Sequence, residues 1–230
     1  MLGLVLDTST ERGIVAVVKN DGCLFEKQLP FGLQNSHYLL PELEQELRLH
    51  HLTTADLDYV ACGAGPGSYT GIRVGATVAK AIAFVHQLPL VGVSTMDAFV
   101  SDIPGRFAVV IDAKMGGVYL QQCEMTEEGR VVRGEMMVRP LDEASSLLRG
   151  IPLILTPNAK VIRQKIETLS QDQVYQWQEM YPSALNLARA SLEKMNRGEF
   201  LPNGFENSAL ELHYLRKTQA EIERESGRRS

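Results

Sequence analysis

The sequence predicts an α/β protein built from two copies of a βββαβα unit, and three observations support this prediction. Apolar runs of strand length recur in both halves, and the first run of each half ends on an aspartate, Asp7 or Asp112. The two aspartates are 112 − 7 = 105 residues apart. Each begins a strand–turn–strand–turn–strand series, and internal repetition on this scale indicates two duplicated domains.

The first half begins with a continuous apolar run that is typical of a central strand. A hairpin turn at 20–22 joins the second and third strands. The predicted strands are 2–6, 14–19, 23–29, 59–62 and 90–93. Between the third and fourth strands we predict a helix with Ser36 as its cap and Leu39, Leu40, Leu43 and Leu47 as its apolar stripe. A second helix follows the glycine-rich segment 63–75 and ends near Val85.

The second half repeats this plan from residue 107 onward. Its predicted elements are strands at 107–111, 118–123 and 131–138, a helix at 141–149, a strand at 153–155 and helices at 159–169 and 184–195. Asp102, Pro104 and Gly105 collect at the boundary between the halves. We therefore predict domains over 1–102 and 103–216, followed by a charged, flexible tail over 217–230.

The composition is that of a soluble globular protein. Of its 230 residues, 44% are hydrophobic and 22% charged, and no apolar run reaches the ~18 residues of a membrane span. Asp7 interrupts the apolar N-terminus, which argues against a signal peptide. Three widely spaced cysteines indicate a reducing cytoplasm. The net charge of −5 makes the chain a poor binder of nucleic acid by itself, so any RNA would need positive surface from another subunit.

The glycine-rich segment 63–75 has two interpretations. Free N–H groups at the start of the following helix could hold a phosphate. A tight turn from a strand into a helix needs the same glycines, and Ser68 or Thr70 could cap that helix. Glycine spacing alone favours the tight turn, because short glycine patterns often occur without a bound phosphate.

Four small residues recur every fourth position along this helix: Gly71, Gly75, Ala79 and Ala83. A ridge without side chains allows another backbone to approach closely. That backbone could belong to the chain's own sheet or to a partner helix, and the sequence favours neither.

The paired aspartates predict the duplicated actin-like ATPase fold, also called the ASKHA or ribonuclease H-like class. In that fold two aspartate turns face each other across a cleft that holds a phosphate and its magnesium ion in the active members. The cleft residues would be Asp7, Thr8, Ser9 and Asp112. Taken singly, each aspartate could equally mark an ordinary turn at a strand end.

The histidines predict no metal site. His50 and His51 are adjacent and would point in different directions on a helix. His37, His86 and His213 each stand alone.

Several motifs resemble the bacterial TsaB family, also called YeaZ, over nearly the whole chain. They are Leu6-Asp7-Thr8-Ser9-Thr10, Asn35-Ser36-His37 through Leu40-Pro41, Gly65-Pro66-Gly67-Ser68-Tyr69-Thr70-Gly71-Ile72-Arg73-Val74-Gly75, Gly92-Val93-Ser94-Thr95, Ile111-Asp112-Ala113-Lys114-Met115-Gly116-Gly117-Val118-Tyr119 and Tyr214-Leu215-Arg216. The ending Ser-Tyr-Thr-Gly-Ile-Arg of the glycine-rich motif is the most specific of them.

The resemblance implies a non-catalytic subunit of the machinery that makes threonylcarbamoyladenosine in tRNA beside the anticodon. Its paralogue TsaD holds the metal and transfers the threonylcarbamoyl group, and the ATPase TsaE joins the pair. The chain would form a homodimer in isolation and meet tRNA through the complex rather than alone. It would hold no tightly bound cofactor, although ATP or ADP could sit at the interface with TsaD.

The same resemblance explains why this chain would lack the metal. TsaD-like sequences carry a His-x-x-x-His pair after a Gly-Val strand end, and here Thr95 and Phe99 stand at those positions. Phenylalanine cannot bind a metal, and threonine is a weak ligand.

Docking through the two helices of the first domain is the interface that the resemblance implies. The predicted interface residues are Leu39, Leu43, Leu47, Gly71, Arg73, Val74, Gly75, Val78, Ala79 and Ile82. Simple packing of both helices within the domain is the alternative. Two other functions remain open: an ATP-dependent small-molecule kinase that uses Asp7 and Asp112, and a peptidase, for which the sequence offers no clear nucleophile and base.

Overall fold

The structure is a computed structural model that describes residues 1–20, 22–32, 35–114, 117–169, 174–203 and 210–213. The predicted tail over 217–230 and the Tyr214-Leu215-Arg216 motif lie outside the described residues. Within the described residues, no helix combines the length and the apolar character needed to cross a membrane.

Five strands form the first sheet, in the order β3-β2-β1-β4-β5. They are β1 (Leu2–Asp7), β2 (Ile14–Lys19), β3 (Gly22–Gln28), β4 (Tyr59–Gly63) and β5 (Leu90–Val93). β1 pairs antiparallel with β2 and parallel with β4. Helices α1 (Asn35–Leu49) and α2 (Tyr69–His86) contact this sheet, so the carboxyl end of β1 lies beside the start of α2.

The second sheet runs β11-β10-β6-β7-β8, and β9 also pairs with β7. Its strands are β6 (Gly105–Lys114), β7 (Gly117–Thr126), β8 (Gly129–Val132), β9 (Met137–Pro140), β10 (Leu153–Thr156) and β11 (Gln176–Glu179). Helices α3 (Leu141–Leu147) and α4 (Ala159–Leu169) lie between its later strands in sequence. The order of elements repeats that of the first sheet, as the sequence predicts, except that two short strands, β8 and β9, stand where the first sheet has β3.

Two features of the second sheet differ from the prediction. The single strand predicted over 131–138 is two short strands, β8 and β9. The edge strand β11 was missed, because its sequence Gln-Trp-Gln-Glu is mostly polar and partly exposed and therefore lacks the apolar run that indicates a buried strand.

Helix α5 (Ala184–Asn196) follows the second sheet in sequence but packs against the first. The Ala184 N–H donates to Glu26 Oε2 at 3.1 Å, and Lys194 Nζ donates to the Gly92 carbonyl oxygen at 2.9 Å. A single buried cluster joins residues of both sheets with α5. The predicted domains, 1–102 and 103–216, stay a prediction.

Candidate functional site

Asp7 ends β1 inside the protein, with only 1% of its surface exposed. The Ser9 N–H donates to Asp7 Oδ1 at 2.7 Å, and the Ser9 hydroxyl donates to the same oxygen. The Thr95 hydroxyl donates to Asp7 Oδ2 at 2.7 Å. A Cβ atom at Gly63 would overlap that second oxygen, so β4 also covers the carboxylate. Asp7 therefore holds the chain's own loops together.

Burial is the main influence on the pKa of the Asp7 carboxyl. Loss of solvent raises the pKa of this carboxyl above its usual value of 3.8, and hydrogen bonds from Ser9 and Thr95 offset only part of that rise. A raised pKa means that the folded state binds the proton more tightly than the unfolded state does. The associated stabilisation is fully present below pH ~4 and is lost as the pH rises through the folded pKa.

We expect Asp7→Asn to change how stability depends on pH. Relative to the unmodified chain, the variant should become progressively more stable as the pH rises from about 4 to 8, because the amide carries no charge to desolvate. Denaturant unfolding at several pH values measures the difference. Asp56→Asn is the control, since hydrogen bonds from Thr53 lower the pKa of exposed Asp56, so its effect on the pH dependence lies below pH ~4 and its stability difference should stay nearly constant from pH 4 to 8. A constant difference between Asp7→Asn and the unmodified chain across this range would contradict the prediction.

The glycine-rich loop packs against the turn that follows Asp7. The Ser68 N–H donates to the Ser9 carbonyl oxygen at 2.7 Å, and Ser68 Oγ caps α2 by accepting the Gly71 N–H at 3.2 Å. The Thr8 hydroxyl donates to the Gly71 carbonyl oxygen at 2.6 Å. The Thr95 N–H donates to the Gly65 carbonyl oxygen at 2.7 Å. These contacts favour the tight turn over the phosphate cradle.

The ridge of small residues on α2 faces the chain's own first sheet. A Cβ atom at Gly75 would lie 2.7 Å from Thr8 Oγ1, and one at Gly71 would overlap the Thr8 carbonyl oxygen. Ala79 and Ala83 have no exposed surface. The ridge therefore exists to let α2 approach β1 and the turn after it.

Six of the predicted interface residues offer little surface to a partner in this structure, and their role as contact residues stays a prediction. Leu39, Leu43, Leu47, Gly71, Gly75 and Ala79 are all buried within this chain. The physical reason is that a helix lying on a sheet packs its most apolar and most compact face against that sheet. The other four behave differently: Arg73 is exposed, and Val74, Val78 and Ile82 are half-buried.

A second apolar strip lies on the outward side of the two helices. We name it the outer face and define it by Leu40 on α1 and Val74, Val78, Ile82 and Val85 on α2. Leu40 is 54% exposed and Val85 is 69% exposed. Val74, Val78 and Ile82 pack partly against the buried core and are partly exposed to solvent. The predicted interface residues include neither Leu40, although it belongs to the predicted apolar stripe of α1, nor Val85, which lies off the ridge of small residues on α2.

The second aspartate, Asp112, lies near the end of β6 and contacts the following residues. Asp112 Oδ1 accepts the Lys114 N–H at 2.9 Å, and Lys114 Nζ lies 3.2 Å from Asp112 Oδ2. The same ammonium donates to Glu11 Oε1 at 2.7 Å. Glu11 and Asn158 carried no signal in the sequence, since polar residues in turns are common, and Lys114 belongs to a family motif but had no predicted role.

Thr95 and Phe99 do not form a ligand pair. Thr95–Ala98 is a short 3-10 helix, Thr95 is bonded to Asp7, and Phe99 is buried in the core shared by both sheets. In the part of the chain that the structure describes, no group of three His, Cys, Asp or Glu side chains is placed to hold a metal ion.

Comparison with known proteins identifies relatives of this chain. A family model described as TsaD: tRNA N6-adenosine threonylcarbamoyltransferase matches residues 34–148, half of the chain. The Escherichia coli K12 protein named tRNA threonylcarbamoyladenosine biosynthesis protein TsaB is 33% identical over 131 residues, 55% of this chain and 56% of that protein. The Haemophilus influenzae protein of the same name is 35% identical over 52% of both chains. The matches thus span about half the length of these curated relatives.

Solved structures extend the likeness to the whole fold. A Pseudomonas aeruginosa protein described as similar to peptidase YEAZ superposes with a TM-score of 0.74 at 23% identity, covering 94% of this chain and 99% of that one. YeaZ from the same organism superposes with a TM-score of 0.70, covering 88% and 97%. The predicted duplicated actin-like fold is confirmed. Together with the curated relatives, the family match shows that the chain belongs to the TsaB (YeaZ) family, which shares its domain type with TsaD.

Proposed function

We propose that this chain is a non-catalytic subunit in the biosynthesis of tRNA threonylcarbamoyladenosine and that it binds and activates a TsaD-like catalytic subunit. The names of its relatives support the pathway. The contacts of Asp7 support the accessory role, because both of its carboxyl oxygens already accept hydrogen bonds from Ser9 and Thr95. The catalytic subunit would supply the metal and the transfer step.

The outer face is the observation that carries this proposal. Leu40 and Val85 expose more than half of their surface, and Val74, Val78 and Ile82 are half-buried, so both helices present apolar side chains to solvent. Such a strip on a water-soluble surface is typical of a protein contact. A second helix pair laid across it would bury these side chains and leave exposed Arg73 at the rim.

The TsaD-like subunit is the partner we assign to this face, and a second copy of the chain would occupy it when that subunit is missing. A TsaE-like ATPase would join the assembled pair. The net charge of −5 leaves tRNA binding to the complex. We place any ATP or ADP at the surface shared with the catalytic subunit, since the Asp7 carboxylate is closed off by its own hydrogen bonds.

Substitution of Ala81 by arginine tests the docking face directly. Ala81 is an exposed residue of α2, one turn from both Val78 and Val85, so a long charged side chain there should block docking without disturbing the core. We expect affinity for the TsaD-like subunit to fall at least ~30-fold, as for loss of a binding hot spot. Gly75 and Ala79 are unsuitable for this test, because they pack inside the fold.

Thr168→Arg on exposed helix α4 is the matched control and should leave binding unchanged. Titration calorimetry measures affinity, and thermal unfolding checks that both variants fold. A transferase assay of the chain alone, and then with the TsaD-like and TsaE-like subunits, tests the accessory role. Equal binding by both variants would refute the docking face, and turnover by the chain alone would refute the accessory role.

A further inference from the structure

The geometry points to a strap that closes the cleft between the two sheets: the Glu11 carboxylate, held by Lys114 and Asn158. We propose that the Lys114 ammonium acts as the chain's own built-in cation and keeps the two sides of the cleft together. This inference concerns the cleft alone and does not depend on the proposed partner.

Glu11 lies in the turn between β1 and β2, four residues after Asp7. Its Oε1 accepts a hydrogen bond from Lys114 Nζ at 2.7 Å, and its Oε2 accepts one from Asn158 Nδ2 at 3.4 Å. Lys114 ends β6, and Asn158 directly precedes α4. One carboxylate of the first sheet's turn therefore contacts two separate loops of the second sheet.

Lys114 also forms an ion pair with Asp112 of the second sheet. Its ammonium lies 3.2 Å from Asp112 Oδ2, so it stands between two carboxylates that come from opposite sides of the cleft. The Asp112 side chain is only 7% exposed, whereas that of Lys114 is 55% exposed. Two carboxylates brought this close would repel each other without a cation between them. Lysine supplies that charge from within the sequence.

The backbone supports the same interpretation. Lys114 has a φ of +60°, in the left-handed region that costs a residue with a side chain roughly 1 kcal/mol. Surrounding contacts must hold it there, and the ion pairs to Glu11 and Asp112 are such contacts. The Asp112 N–H also donates to Asn158 Oδ1 at 3.1 Å, so Asn158 ties Asp112 and Glu11 to one point.

Glu11→Gln and Lys114→Met each break the strap while keeping the side-chain volume nearly constant. We expect amide hydrogen exchange in residues 8–13 and 111–114 to become about threefold faster in each variant, as for a partly exposed ion pair that holds a local structure closed. The double variant should exchange more slowly than the sum of the two single effects predicts, because the two residues share one ion pair, while Lys114 also contacts Asp112 and Glu11 also contacts Asn158. Raising the salt concentration should move the unmodified chain towards the variants.

Arg163→Met is the matched control, because it removes an exposed ion pair of similar geometry, 2.8 Å from Glu167 on α4 and away from the cleft. It should leave exchange at 8–13 and 111–114 unchanged. Mass spectrometry of peptide fragments follows the exchange, and circular dichroism confirms that each variant is folded. Unchanged exchange in both single variants, or independent and additive effects in the double variant, would overturn the proposal.

Discussion

Replacement of Gly71 by alanine is expected to lower the free energy of unfolding by about 3 kcal/mol, as for strong overpacking. The added methyl group would overlap the Thr8 carbonyl oxygen, which is backbone and cannot rotate away. Thr8 and Gly71 are also held close together, because the Thr8 hydroxyl donates to the Gly71 carbonyl oxygen at 2.6 Å. α2 would therefore have to move off β1, and the turn after Asp7 would lose its support.

The sign of this effect is informative, because helix propensity alone predicts the opposite. Alanine within a helix is normally about 1 kcal/mol more favourable than glycine. Gly134→Ala, outside any helix, is the control for the added methyl group alone, since a Cβ atom there meets nothing within 4 Å. Thermal unfolding should show a fall in Tm of roughly 10 °C for Gly71→Ala and little change for the control. A Gly71→Ala variant as stable as the unmodified chain would show that α2 does not depend on this close approach.

Truncation of Phe99 to alanine is expected to cost about 4 kcal/mol, which is typical of deleting a buried aromatic ring. Phe99 has no exposed surface and belongs to the cluster that joins both sheets with α5. The cavity would therefore weaken the contact between the two halves as well as the local packing. For a chain of this length the Tm should fall by roughly 8 to 16 °C.

Phe31→Ala provides the comparison for the same chemical change on the surface. Phe31 is 61% exposed and contacts Arg12 only loosely, with the guanidinium carbon 5.9 Å from the ring centroid. Its loss should cost less than about 1 kcal/mol. Denaturant titration of both variants measures the difference. Comparable losses for the two would mean that Phe99 is not part of the core.

The sequence predicted the fold best where a repeated pattern of residues had a single physical explanation. The apolar runs that end on Asp7 and Asp112 predicted both central strands, because a buried strand needs apolar side chains on both faces. Strand β11 escaped prediction because its edge position removes that need. The two-fold repetition therefore led to the correct fold class even though one strand was missed.

The site was harder to predict, because a repeating pattern marks one face of a helix as different from the others but does not show what packs against that face. Gly71 and Gly75 mark a close approach, and the structure shows that the approaching backbone belongs to the chain itself. Glu11 contacts Lys114 and Asn158, which lie 103 and 147 positions further along the chain. No local sequence pattern predicts contacts between residues so far apart. Leu40 could be recognised as exposed only once α1 had been placed on the sheet.

The return of α5 to the first sheet has a consequence for synthesis on the ribosome. β5 ends at Val93 and α5 begins at Ala184, so the helix that covers the sheet begins 184 − 93 = 91 positions after the sheet ends. At ~5–20 residues per second, translation of that interval takes roughly 5 to 20 s. During this delay one side of the nascent first sheet stays uncovered, and a chaperone that shields apolar strands would find its substrate there.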